Sequence, residues 1–111
     1  MRNNRTAGNN FERIIVRELK ELGYDVTTSR NESHKMDAMQ VDIMGDIPYH
    51  IQCKNSKNKP KYDKLLKEMP DDKVPVVFHR QTHKAGKNFV TDGDFVIMRK
   101  EDFYEILLQL K

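Results

Sequence analysis

Residues 41–55, VDIMGDIPYHIQCKN, constrain this chain more than any other segment. Two apolar stretches flank Gly45 and Asp46, a pattern that predicts short strands at 38–44 and 48–54 joined by a tight turn. Side chains alternate along a strand, so Gln52 and Lys54 share one face while Cys53 points into the opposite, buried one. The first strand presents a carboxylate at Asp42. The hairpin therefore directs an acid, an amide oxygen and an ammonium at one spot.

The remaining elements fall around that hairpin. Phe11, Ile14, Ile15, Leu19 and Leu22 recur at helical spacing and predict a helix over 6–22, ended by Gly23. Residues 24–28 read as a strand and 29–35 as a polar loop. A helix can start after Pro60, with Leu65, Leu66 and Met69 on its apolar side, and Pro70 stops it. VPVVFH, residues 74–79, is apolar almost throughout and predicts a central strand buried on both faces. Residues 80–87 read as a mobile loop, and Asp92-Gly93 as the turn of a hairpin between 88–91 and 94–99. Phe103, Ile106, Leu107 and Leu110 mark a last helix from Glu101, whose acids suit its N-terminal dipole. The predicted order is αβββαβ(β)βα: an α/β domain with a mixed central sheet of about five strands flanked by helices.

At 111 residues the chain is expected to form a single domain, 1–111. Twenty Lys and Arg against seventeen Asp and Glu give a net charge of +3, and mean hydropathy is −0.82. The distribution says more than the sum. Residues 54–67 hold six lysines and one acid, Asp63. The single cysteine, Cys53, excludes an internal disulfide and a cysteine-rich zinc site. No apolar run approaches the ~20 residues of a membrane span, and no secretory signal is recognised. A soluble, intracellular (cytoplasmic) protein with no organic cofactor is expected.

The chemistry of the hairpin cluster is that of phosphodiester hydrolysis. Such a reaction needs an activated water and a counter-charge on the phosphate oxygens, and Mg²⁺ or Mn²⁺ supplies both through oxygen ligands. Asp42 is the principal candidate ligand, with Gln52 through its amide oxygen and Cys53 through its backbone carbonyl. Lys54 is placed to orient the water and neutralise charge. Glu12, at the edge of the first helix's stripe, has the reach to join them. Arg5, Gly8 and Glu12 fall on one helical line, so Gly8 leaves room for a phosphate that Arg5 contacts. Arg30, Lys35, Lys57, Lys59, Lys61, Arg80 and Lys84 complete the candidate DNA contacts. Phosphate contacts of this kind confer affinity rather than sequence preference.

The pattern Arg5-x-x-Gly8-x-x-x-Glu12, Gly23-Tyr24, a serine in the next loop, Val41-Asp42-Ile43 and Ile51-Gln52-Cys53-Lys54 resembles the archaeal-type Holliday junction resolvases of the PD-(D/E)XK nuclease superfamily. The resemblance covers residues 5–54, about half the chain. It implies a restriction-endonuclease-like fold and a metal site at Glu12, Asp42, Gln52 and Lys54. A serine of the mobile loop, Ser33 before Ser29, joins that site by the same analogy. The implied enzyme is a homodimer that cuts four-way DNA junctions. Two positions depart from the pattern. Val41 stands where the motif has proline, and Gln52 stands where it has glutamate, which removes a negative charge and predicts weaker metal binding.

Other residues have plainer readings. Asp46 is a turn acid and Asp37 a solvated loop acid. His79 and His83 lack a third nitrogen or sulfur ligand and read as part of a basic loop rather than a zinc site. Tyr62 and Phe89 read as core. Two further functions stay open on the same fold: a DNA-binding accessory protein whose catalysis lapsed at Gln52, and a restriction- or repair-type nuclease.

Overall fold

Phe11, Ile15 and Leu19 form the buried stripe of the first helix, and the rest of the architecture is arranged to cover it. The computed structural model describes residues 4–111 and, Asn31 apart, side chains from residue 9 onward. Its elements run α1 (Asn4–Glu21), β1 (Val26–Thr28), α2 (Ser29–Glu32), α3 (His34–Ala38), β2 (Ile43–Gly45), β3 (Tyr49–Ser56), α4 (Tyr62–Glu68), β4 (Val74–Ala85), β5 (Asn88–Ile97) and α5 (Lys100–Gln109). The strands make one mixed sheet in sequence order, antiparallel except for the β3–β4 pair. Parallel neighbours need a crossover, and α4 provides it.

Helices cover both faces of the sheet. On one, α1 buries Phe11, Ile15 and Leu19 against Val26, Ile43, Ile51 and Cys53. On the other, Leu65 and Leu66 of α4, with Met69, pack on Val41 and Val77. Alternation along β3 explains the split, since Ile51 and Cys53 serve the α1 side and Gln52 the α4 side. Gly45, at φ +144°, allows the β2–β3 turn; a Cβ there would run into the Asp25 carbonyl and lie 2.8 Å from Val26 Cα.

The α/β class, the five-stranded mixed sheet and the long elements match expectation, and four local readings are corrected. Residues 29–35 are not a loop but carry α2 and the start of α3, because Thr28 and Ser33 occupy extended N-cap positions. The strand expected over 38–44 shrinks to Ile43–Gly45, since α3 continues to Ala38. Residues 80–87 extend β4 to Ala85. The hairpin turn is Gly86-Lys87, with positive φ at Gly86 alone, the type II′ pattern. Asp92-Gly93 is instead a bulge within one continuous strand, where the register shifts between Gln81 and Thr82. Tyr62 and Phe89, read as core, are 39% and 51% exposed. Among the described residues no helix is long and apolar enough to cross a membrane.

Candidate functional site

Asp42 is the hub of the site. Its N–H donates to the carbonyl of Ile51, the residue that also pairs with Ile43, at 2.8 Å, so the register slips by one residue and the chain bulges at Asp42 where β2 begins. Asp42 Oδ2 accepts the Cys53 N–H at 2.8 Å. The N–H and C=O of a strand residue point to the same edge, so the Cys53 carbonyl faces the same gap, where β2 has ended.

Four charged side chains act on or with this carboxylate. Burial pushes Asp42 up to about 6, while the Cys53 hydrogen bond and the Lys54 ammonium pull it down. Glu12, from α1, is pushed up to about 7 by burial first and by the Asp42 charge second. Thus α1 and the β2–β3 hairpin bring together two acids thirty residues apart in sequence, close enough for each to feel the other's surroundings. Asp37 on α3 raises both, and Arg30 lowers both.

Gln52 is 1% exposed. Its Nε2 donates to Gln40 Oε1 at 3.3 Å, and its own Oε1 is buried with no hydrogen-bond partner. A buried acceptor left without a donor costs roughly 1–3 kcal/mol. Gln40 is held for this contact by a strained backbone. It sits at φ +66° as the left-handed residue of a Schellman motif closing α3: Val41 N–H bonds Met36 O, Gln40 N–H bonds Asp37 O, and Val41 packs on Met36. Glycine is the usual occupant of that position.

Two expected roles are corrected. Ser33 Oγ is engaged as the N-cap of α3, accepting the Met36 N–H at 3.2 Å. The serine beside Asp42 is Ser29, whose N–H donates to the Asp42 carbonyl at 2.8 Å and whose buried hydroxyl lacks a partner. Arg30, expected among DNA contacts, turns inward, with Nη1 3.6 Å from Glu12 Oε2 and both Nη atoms buried without hydrogen bonds. Residues 29–40 lack periodicity, so nothing in the sequence signalled that Arg30, Asp37 and Gln40 border the site.

The basic residues divide by position. Lys35, Lys57, Lys59, Lys61 and Lys84 are exposed, and Lys57 to Lys61 follow directly on the strand that carries Lys54. Arg80 is not a free phosphate contact, because it makes a two-pronged pair with Asp94 at 2.7 and 2.8 Å and lies 4.8 Å over the Phe11 ring. His79 is buried against Ser56 Oγ at 3.0 Å, and His83 pairs with Asp92 at 2.7 Å. The expected phosphate contacts at Arg5 and Gly8 lie outside the residues whose side chains are described. The Cys53 thiol is buried, which raises its pKa well above normal and leaves it inert.

Among the described residues no group of three or more His, Cys, Asp or Glu is placed to share an ion. The oxygens that could hold one are the Glu12 and Asp42 carboxylates and the Cys53 carbonyl, and the orphaned Gln52 Oε1 sits on the neighbouring residue of β3. All are oxygens, which fits a hard divalent cation and not a thiophilic one. Comparison with protein-family models, curated proteins and solved structures gives no match for this chain.

Proposed function

We propose that this chain is a Mg²⁺- or Mn²⁺-dependent DNA endonuclease of restriction-endonuclease-like fold that cuts branched DNA, four-way junctions foremost, as a homodimer. One observation carries the reading: two acids from distant elements are half-buried close enough to raise one another's cost of ionisation, with a lysine acting on the same carboxylate. Mutual repulsion and burial make this arrangement unfavourable without a cation, and a cation relieves it. Glu12, Asp42, Gln52 Oε1 and the Cys53 carbonyl are the groups that would hold it. When bound, the ion supplies Lewis acidity and positive charge at the reacting phosphate.

The chain's own residues do the rest. Lys54 sets an ammonium next to Asp42, where it orients water and balances phosphate charge. Arg30 turns inward against Glu12, its Nη1 3.6 Å from Oε2, and adds a second positive charge at the acid pair. Exposed Lys57, Lys59 and Lys61 extend the basic surface away from Lys54 and fit a phosphate backbone of any sequence. The choice of branched DNA rests on the motif resemblance.

A second reading, a DNA-binding protein without catalysis, is favoured by the amide at Gln52 and by the lack of a three-acid cluster among the described residues. One experiment separates the two. Labelled four-way junction, flap and linear duplex are incubated side by side with and without Mg²⁺ or Mn²⁺. Wild type cuts the junction only with metal, and Lys54→Ala binds it without cutting. Junction binding with no cleavage at any metal concentration overturns the nuclease in favour of the accessory protein.

A further inference from the structure

The C-terminal helix α5 has its apolar side turned away from its own domain. Phe103, Ile106, Leu107 and Leu110 lie at i, i+3, i+4 and i+7, yet none is buried: Phe103 is 48%, Leu107 46% and Leu110 79% exposed. Tyr104 and Leu108 widen the apolar arc and are 53% and 63% exposed. Only Asp102 and Ile106 are half-covered. A ten-residue helix is marginal in water without tertiary packing. Beside Ile106 opens a groove of about 240 Å³ whose walls include Leu19, Tyr24, Tyr49, Phe78 and Val96, with no charged side chain among its lining residues.

We propose that this helix and groove form the two-fold interface of a homodimer, each copy's α5 stripe lying against the partner's α5 and groove. Three observations select a second copy as the occupant. The area is right. Tyr24, Val96, Phe103, Tyr104, Leu107, Leu108 and Leu110 together expose roughly 700 Å², taking 150–250 Å² for an aromatic side chain and somewhat less for an aliphatic one. A stable complex of standard size buries about 800 Å² on each partner. The surface is self-complementary, an apolar ridge beside an apolar groove, as a two-fold contact requires. The charges are also compatible. Lys100 lies within the apolar arc, its ammonium 5.9 Å over the Tyr104 ring, but an antiparallel pair centred on Leu107 sets the two copies' Lys100 at opposite ends, about 20 Å apart along the axis, and opposes the two helix dipoles.

The groove has no basic side chain in its lining, which makes it unsuited to nucleic acid. It also lies at the Leu19 end of α1, about two helical turns or ~10 Å from Glu12. Both acid clusters of the dimer therefore stay open. This surface supplies the interface for the homodimer in the proposed function and so deepens that reading, but packing alone carries it, apart from the chemistry.

Sedimentation equilibrium at micromolar concentration tests it in the absence of DNA and metal. Wild type runs at twice 13.1 kDa, and Leu107→Glu runs at 13.1 kDa with an unchanged far-ultraviolet circular dichroism spectrum. In Leu107→Cys a short bis-maleimide joins two copies, while Cys53, being buried, does not react. A monomeric wild type overturns the proposal, as does a dimer that survives Leu107→Glu and leaves Leu107→Cys uncrosslinked. Failure to cut a junction by a chain that passes these tests would defeat the nuclease reading and leave the interface standing.

Discussion

Asp42→Asn separates the cost of the site from its use. The substitution keeps the shape and an oxygen to accept the Cys53 N–H, and removes only the charge. Asp42 titrates at about 6 in the folded chain against 3.8 when unperturbed, a net value that already includes the help of Lys54. At about 1.36 kcal/mol per pKa unit, ionising it in the native state costs roughly 3 kcal/mol. The sign follows from linkage: a raised acid pKa stabilises the fold below the unfolded value, and that stability is lost as pH rises through the folded value. Wild type and variant should therefore be equally stable below pH 3.8. The difference opens between about pH 4 and 6. It widens further to about pH 7, because Glu12 is itself raised partly by the Asp42 charge.

In urea at pH 8, with m on the order of 1.5 kcal/mol/M, the variant midpoint should lie about 2 M above wild type. Magnesium should narrow the gap from the other side. A ligand at a hundred times its Kd stabilises by about 2.7 kcal/mol, and only wild type should gain it. An Asp42→Asn chain that is no more stable than wild type at pH 8, or whose advantage persists at pH 3.5, would refute the account of the acid pair.

Two further outcomes follow from the same geometry. Gln52→Glu places another carboxylate at a 1% exposed position beside Cys53, whose N–H Asp42 accepts, and like charges on the order of 4 Å apart repel by about 4 kcal/mol at an effective dielectric of 20. Metal-free stability at pH 8 should fall and calorimetric Mg²⁺ affinity should rise at least about tenfold, a change of ~1.4 kcal/mol; unchanged affinity would place the ion elsewhere. Replacing exposed Lys57, Lys59 and Lys61 by Ala together should leave the fold intact. The slope of junction affinity against salt should drop by about 0.9 for each phosphate no longer neutralised. An unaltered slope would move the DNA off this surface.

What the sequence made legible is what a repeating pattern encodes. The apolar spacing of α1 and the VPVVFH run located the main layers, and period two on β3 set Gln52 and Lys54 against Cys53. Residues 29–40 carry no such repeat. Their structure comes from capping by Ser33, a Schellman closure at Gln40 and burial of Met36 on Val41, none of which depends on periodicity. The same gap hid Arg30. A lone arginine in a polar stretch reads as solvated, and only the approach of α1 turns it toward Glu12. Asp92-Gly93 misled for a different reason. Glycine after aspartate serves a bulge as well as a turn, and only pairing with β4 distinguishes them.

Several polar groups elsewhere are matched: Arg80 with Asp94, His83 with Asp92, and His50 with Asp72, whose carboxyl that contact lowers. Around Asp42 the same chain tolerates the opposite. Two acids are raised by burial, an arginine fork and a glutamine oxygen lack hydrogen-bond partners, and Gln40 sits in a left-handed conformation that glycine would adopt at roughly 1 kcal/mol less. A sequence selected for stability alone has inexpensive remedies at each of these positions. Glycine at 40 relieves the backbone but releases Gln52, and a leucine at 52 removes the orphaned oxygen but empties the donor set. Arg30 and Asp37 act on both acids, Lys54 acts on Asp42, and Gln52 adjoins Cys53, whose N–H Asp42 accepts. That convergence is what a site kept ready for a ligand requires, since a cation would relieve both raised acids.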